Sequence, residues 1–396
     1  MRAPSRRTRI ALAWLAVSAA ARGLGAQPAA TAITVEGRRI EGRLVDVEPA
    51  PAVVLQTEEG RRRMACGDLL ALRLGDAQPS PRADHIRVAL RQGGQLRGRL
   101  RGGGEHAVEL ESAALGSVAC PLGAIASIAF AQEPAGEPPE PAQKADRLVL
   151  LNGETIEGTV KSIDATGVAF RAEHLGEVEL GFDRVVAATF ASQGGREAPR
   201  PEGVVAIVRA DDGTAVAGRL RGLEEGRLKV DALFGPALAF DIAAVLELEF
   251  RGGRLVYLSD LEPAKVEETP FFDLVWHYHR DRSVDGHPLR IGERTYSKGL
   301  GVHTRCELTY ALEGDYQRFL ADVGIDEEMG ERGNACVRVL VDGEVRFERE
   351  SLRGSDGPVA VAVDLEGARE LTLVADFGAE LDIGDHVDWA NARLIR

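Results

Sequence analysis

Apolar and polar residues alternate with a period of two along most of this chain, in short runs broken by glycine, proline and charged turns. That period marks a half-buried β-strand, whereas an amphipathic helix repeats every 3.6 residues. No helical pattern of ordinary length interrupts it, so the chain is predicted to be all-β. Four segments, 33–74, 86–130, 148–190 and 204–250, share one template. Each opens with an alternating strand, passes a glycine turn, and continues as apolar-x-Gly-x-apolar: IEGRL, LRGRL, IEGTV and VAGRL. The glycines inside these cores, Gly42, Gly98, Gly158 and Gly218, are spaced by 56, 60 and 60 residues, and the closing residues Leu74, Phe130, Phe190 and Phe250 keep the same intervals. Two further alternating stretches, a single-turn piece such as 66–70 and a last short strand complete each unit.

An earlier glycine (Gly37, Gly93, Gly153, Gly213) precedes each in-strand glycine by five residues. The earlier one suits the positive φ of a tight hairpin, and the later one a bend or a close backbone approach inside a strand. Five short strands with one helical turn before the fifth resemble SH3-like or Sm-like barrels. The intervening stretches 75–84, 131–146 and 191–203 are rich in Pro, Gly and charge and read as linkers. At about 45 residues each, the units sit where a single core is marginal, which favours packing on one another.

The pattern changes at about residue 255. Trp276, Trp389, all five Tyr and five of the eight His lie beyond it. Alternating strands recur there, and Asp342-Gly343 between two of them is a two-residue hairpin signal. A β-sandwich over 255–396 is expected.

The first residues bear on location. Arg2, Arg6, Arg7 and Arg9 precede a short apolar run at 10–21 and small residues up to 26, the layout of a cleaved secretory leader, 1–26. The run is too short to span a bilayer. A secreted or periplasmic, cell-envelope location is expected. Removing the leader's five arginines takes the formal charge from −14 to −19. So acidic a protein lacks the Lys/Arg footprint that nucleic acid requires. Cys66, Cys120, Cys306 and Cys336 have no metal-ligand spacing and read as either disulfide partners or buried small residues.

Catalytic chemistry finds no foothold in the pattern. The repeats contain no Tyr, and their histidines His85, His106 and His174 fall at different template positions. Arg61, Arg62 and Arg63 are flanked by Glu58 and Glu59 and read as a solvated hairpin face. Asp211-Asp212 and Glu224-Glu225 fall at predicted turns, without the cleft that a glycosidase carboxylate pair requires. No nucleophile–base pair or phosphate loop stands out.

The last segment carries a family likeness. Its blocks are YLSDL from Tyr257, PLRIG from Pro288, YSKGLGVH from Tyr296, FLADVGID from Phe319, VDG from Val341, VDL from Val363 and GDHVDWA from Gly384. Together they resemble the NPCBM/NEW2 domain family of carbohydrate-binding modules, related to carbohydrate-binding family 51. The resemblance implies a galactose-binding-like jelly roll, sugar recognition by end loops and, commonly, a structural calcium ion. A pyranose needs an aromatic face and planar polar groups. The candidates are Trp276, Tyr278, Arg280, Tyr296, Lys298, His303, His386, Asp388 and Trp389. Trp276 is the preferred platform and Trp389 reads better as core. For calcium the acidic loops offer Asp326 and Glu327, and Asp382 and Asp385. The expectation is an exported, non-catalytic glycan-binding protein, of galactose type if the family holds, with the repeats as spacers or docking units for envelope proteins. The alternative is an envelope interaction protein whose last domain binds no sugar.

Overall fold

The computed structural model describes residues 28–49, 51–75, 77–80, 82, 84–130, 145–172, 176–191, 203–271, 275–379 and 383–396; the expected leader lies outside them. All regular structure described is β-strand or single 3₁₀ turn. No helix among the described residues is long and apolar enough to cross a membrane.

The first repeat is built from strands Ala29–Thr34, Arg39–Glu48, Ala52–Thr57, Gly60–Ala65 and Leu69–Leu74, with the 3₁₀ turn Cys66–Asp68 before the last. Its antiparallel ladders run fifth–first–second–third–fourth, and the other three segments repeat that order. The turn glycines have φ of 83–85°. At the in-strand glycines a Cβ would meet the third strand's carbonyl, 2.1 Å away at Gly158 (Arg171 O) and 2.7 Å at Gly42 (Gln56 O). Glycine lets the two strands coil tightly over each other.

The expected closed barrels are not formed. Among the described residues no ladder joins a fourth strand to a fifth, because the outer edge of each fifth strand is used by another repeat. Leu69–Leu74 pairs with Val245–Arg251, and Ile125–Ala129 with Val185–Thr189. The first repeat is thereby joined to the fourth and the second to the third. Both ladders pivot on one template position: Leu72 faces Leu248, and Ile128 faces Ala188, each two residues before the closing apolar residue. A strand facing its own equivalent is the pattern of a two-fold, isologous interface. A third contact, Gln95 opposite Ala215, also joins equivalent positions, in the second and fourth repeats. One continuous core results, with Leu44, Leu72, Leu96, Leu110, Phe170, Phe240 and Phe250 drawn from all four units.

A buried acid secures the second repeat to the fourth. Asp212, 4% exposed, accepts from Ser112 Oγ at 2.7 Å, from the Ala114 amide at 3.3 Å and from the Thr214 amide at 2.8 Å. Asp212→Ala leaves these buried donors unpaired and is expected to cost about 1–3 kcal/mol, measured as a lower denaturation midpoint. Asp212→Asn, which keeps an acceptor, should lose less; equal loss in both would contradict this role.

The last domain is a sandwich. One sheet runs His279–Arg280, Gly299–His303, His386–Ile395, Arg318–Ile325, Val359–Asp364, with Leu255–Tyr257 also on His386–Ile395. The other runs Lys265–Glu268, Cys306–Ala311, Glu370–Phe377, Asn334–Val341, Glu344–Arg353. Trp389, Tyr310 and Phe319 fill the space between them. A small hairpin, Leu289–Ile291 with Arg294–Tyr296, lies over the first sheet. The sandwich rests on the first repeat: Val35 and Leu70 pack with Leu255, Tyr257, Leu320 and Ile395, and Arg393 Nε donates to the Val35 carbonyl at 3.3 Å. All four cysteines are unpaired and buried; burial pushes the thiols of Cys66, Cys120 and Cys306 up to about 12, out of the reactive range.

Candidate functional site

Strands Gly299–His303 and His386–Ile395 run antiparallel, and their register sets His303 directly opposite His386 at one end of the sheet. The ring centroids are 5.1 Å apart in an edge-on arrangement. Trp276, in the loop before His279–Arg280, stacks on His303 at 5.3 Å with 10° between the planes, and lies 5.3 Å from His386 at a tilt. His303 Nδ1 lies 2.7 Å from the Thr304 carbonyl, to which it donates. His386 Nδ1 lies 2.8 Å from Asp285 Oδ2. Behind them Asp385, fully buried, accepts from Thr304 Oγ1 at 3.2 Å and from the Asn334 amide at 2.7 Å.

The Trp276 loop is held by one carboxylate. Glu268 ends the edge strand Lys265–Glu268; its Oε1 accepts from the Tyr278 amide at 2.7 Å and its Oε2 lies 2.8 Å from His277 Nδ1. Beside Trp276 is a hollow of about 10 Å³ lined by Glu268, Thr269, Phe271, His303, Thr304 and Arg305, among others. That volume admits about one water molecule. The half-buried indole of Trp276 stands at its mouth.

Of the sequence candidates, the fold gathers Trp276, His303 and His386. Tyr278 and Arg280 form a second group: Arg280 Nη2 donates to Tyr278 Oη at 3.3 Å and pairs with Glu262, whose hydrogen bond pushes the guanidinium above its ordinary value. Lys298 lies buried, its Nζ 2.7 Å from Asp260 and 2.6 Å from Asp281. Tyr296, the last residue of the small hairpin, packs with Leu289, Ile291 and Ala390, and Trp389 is 1% exposed in the core. These three side chains face protein, not solvent. Sequence reasoning passed over Glu268, Asp285 and Thr304. Nothing in the sequence near Glu268 announces that it clamps a loop ten residues on.

The acids proposed for calcium are engaged with the protein. Asp326 caps the turn Glu327–Met329 through the Glu328 amide at 3.0 Å, Glu327 lies 3.5 Å from Arg290, and Asp385 is occupied as described. Among the described residues no three or more His, Cys, Asp or Glu are grouped to hold a metal; Asp382 lies outside them.

Against known proteins, residues 254–395 match the NPCBM/NEW2 domain. The last domain is an NPCBM/NEW2 domain. A stretch of 111 residues is 32% identical to a protein of Renibacterium salmoninarum named as an endo-alpha-N-acetylgalactosaminidase; it covers 28% of this chain and only 7% of that protein. Among solved structures, a CBM51 module of Clostridium perfringens in complex with methyl-galactose is 30% identical, covering 35% of this chain and 99% of that one, with a TM-score of 0.33. Tandem CBM51 modules of a family 98 glycoside hydrolase from Streptococcus pneumoniae are 11% identical, covering 92% of this chain and 87% of that one, with a TM-score of 0.32.

Within the NPCBM/NEW2 domain, His386 and Asp388 point to one side of their strand and Trp389 to the other. Asp388 is 1% exposed and sits beside Asp326; the Arg290 amide donates to Asp388 Oδ2 at 3.1 Å and to Asp326 Oδ2 at 3.4 Å. Burial first, and then the Asp326 carboxyl, push Asp388 well above the ordinary carboxylate range. The folded domain thus holds a proton that the unfolded chain releases near pH 4. This contribution to stability is complete below that pH and is lost as pH rises through the raised value. Asp388→Asn mimics the protonated form. It is expected to gain about 1–2 kcal/mol over the parent at pH 8 and nothing at pH 4, as read from thermal unfolding at both pH values. A difference that stays constant with pH would contradict this.

Proposed function

We propose that the chain is an exported, non-catalytic glycan-binding protein whose NPCBM/NEW2 domain takes a hexopyranose, galactose-type first, across Trp276 at the His303–His386 end of the sandwich. The carrying observation is the half-buried Trp276 held in place by Glu268 and His303, next to His386, Thr304 and Arg305. An indole face packs on the apolar C–H side of a pyranose, and planar polar side chains around it bond its hydroxyls. The family match supports the ligand class.

The test is a glycan array probed with the purified full chain, with and without EDTA, followed by titration of the best hit. Saturable binding that is lost with Trp276 supports the reading. Retention of no glycan would sink it and favour an envelope-protein docking role.

A further inference from the structure

The repeat that carries the sandwich has a counterpart that, among the described residues, carries nothing. Val35 lies two residues before the first template glycine of the first repeat, and Leu151 holds the same place in the third. The local backbone is the same: the Val35 amide donates to the Asp68 carbonyl at 3.0 Å, and the Leu151 amide to the Arg184 carbonyl at 2.9 Å. Val35 is fully covered by the sandwich, whereas Leu151 is 74% exposed, more than any other large apolar side chain described. The template does not call for an apolar residue here, since the second and fourth repeats have Arg91 and Asp211. Only the covered site and this uncovered one are apolar.

The surroundings of Leu151 indicate what fits. The side chain stands beside a hollow of about 410 Å³ lined by Leu150, Leu151, Asn152, Asp183 and Arg184. Asp183 and Arg184 are adjacent, exposed and opposite in charge. A projecting leucine, a hollow next to it and both signs of charge on one patch make a surface complementary to itself. In the first repeat, Asp68 at the place of Arg184 receives Arg254 of the sandwich at 3.3 Å; the charge reversal at Arg184 makes this patch unsuited to the sandwich's own docking face. The units of this chain also already join by setting equivalent positions against each other.

We propose that the Leu151 patch of the third repeat binds the same patch of a second copy of this chain about a two-fold axis. Each Leu151 enters the other's hollow, and each Arg184 faces the other's Asp183. The partner is thus identified by complementarity, and the contact is independent of glycan binding.

Sedimentation of the full chain over a concentration series tests it. The expected result is a concentration-dependent shift towards twice the 42.4 kDa of the chain. Leu151→Asp should weaken association at least tenfold with unchanged thermal unfolding, the residue being on the surface. Arg184→Asp should also weaken it, and the double exchange Asp183→Arg with Arg184→Asp should restore it, because the charges then pair again across the axis. A monomer at every concentration, a dimer indifferent to Leu151→Asp, or a double exchange no better than the single change would overturn the proposal.

Discussion

Lys298→Ala is expected to destabilise the NPCBM/NEW2 domain by about 2–4 kcal/mol, without altering the affinity of the molecules that remain folded. The ammonium is only 5% exposed and is shared by Asp260, after the first strand of the domain, and Asp281, at a turn with φ of 58°. Asp281 in turn accepts from the Gly299 amide at 3.1 Å. Removing the lysine leaves two carboxylates without the cation they share, and breaking a fully buried pair costs about 3–5 kcal/mol. The lower range applies because the side chains of Asp260 and Asp281 retain 42% and 35% exposure. Chemical denaturation measures the loss. Lys298→Met combined with Asp260→Asn and Asp281→Asn should recover much of it, since the repulsion is then gone. A folded Lys298→Ala protein with full stability and lost glycan affinity would instead make the lysine a sugar contact.

Trp276→Ala is expected to behave in the opposite way: stability within about 1 kcal/mol of the parent and glycan affinity reduced by roughly 30-fold. The indole is half-buried and belongs to a loop, outside the core between the sheets, so its removal opens little cavity. A central aromatic in a binding site is commonly worth about 2 kcal/mol or more, which corresponds to that factor. Glu268→Gln is a useful companion. It keeps the bond to the Tyr278 amide but weakens the link to His277, and should lower affinity less than loss of the indole. Titration of both variants against the best array glycan decides the matter; undiminished binding by Trp276→Ala would move the site elsewhere on the domain.

The sequence showed some of this and hid the rest for identifiable reasons. The glycine pairs foretold a turn and a close strand crossing, since each demands a backbone that only glycine tolerates. The template could not show that the fifth strands close onto other repeats. The residues that would seal a barrel and those that join two open units are the same alternating apolar residues. At the site, strand parity distinguishes Trp389 from its neighbours: Val387 and Trp389 face one way, His386 and Asp388 the other. The sequence does not reveal which acids Lys298 meets, because they lie 17 and 38 residues away. Trp276 and His303 meet only because a loop held by Glu268 returns to the end of the sheet, a relation that no spacing encodes.

The self-facing fifth strands also decide how far the protein can reach. Four beads in a line would hold the sandwich at a distance from whatever anchors the first bead. Here the first repeat is joined to the fourth, so the chain leaves the array next to the point where it enters, and the sandwich itself sits on the entry repeat. A pull between the amino-terminal side and a bound glycan is borne by the short ladder around Leu72 and Leu248 and by the Val35 contact. The second and third repeats stand outside that line of force until the ladder parts, and the load then passes to the second repeat's own tie to the fourth, the Asp212 bonds and the Gln95–Ala215 pairing.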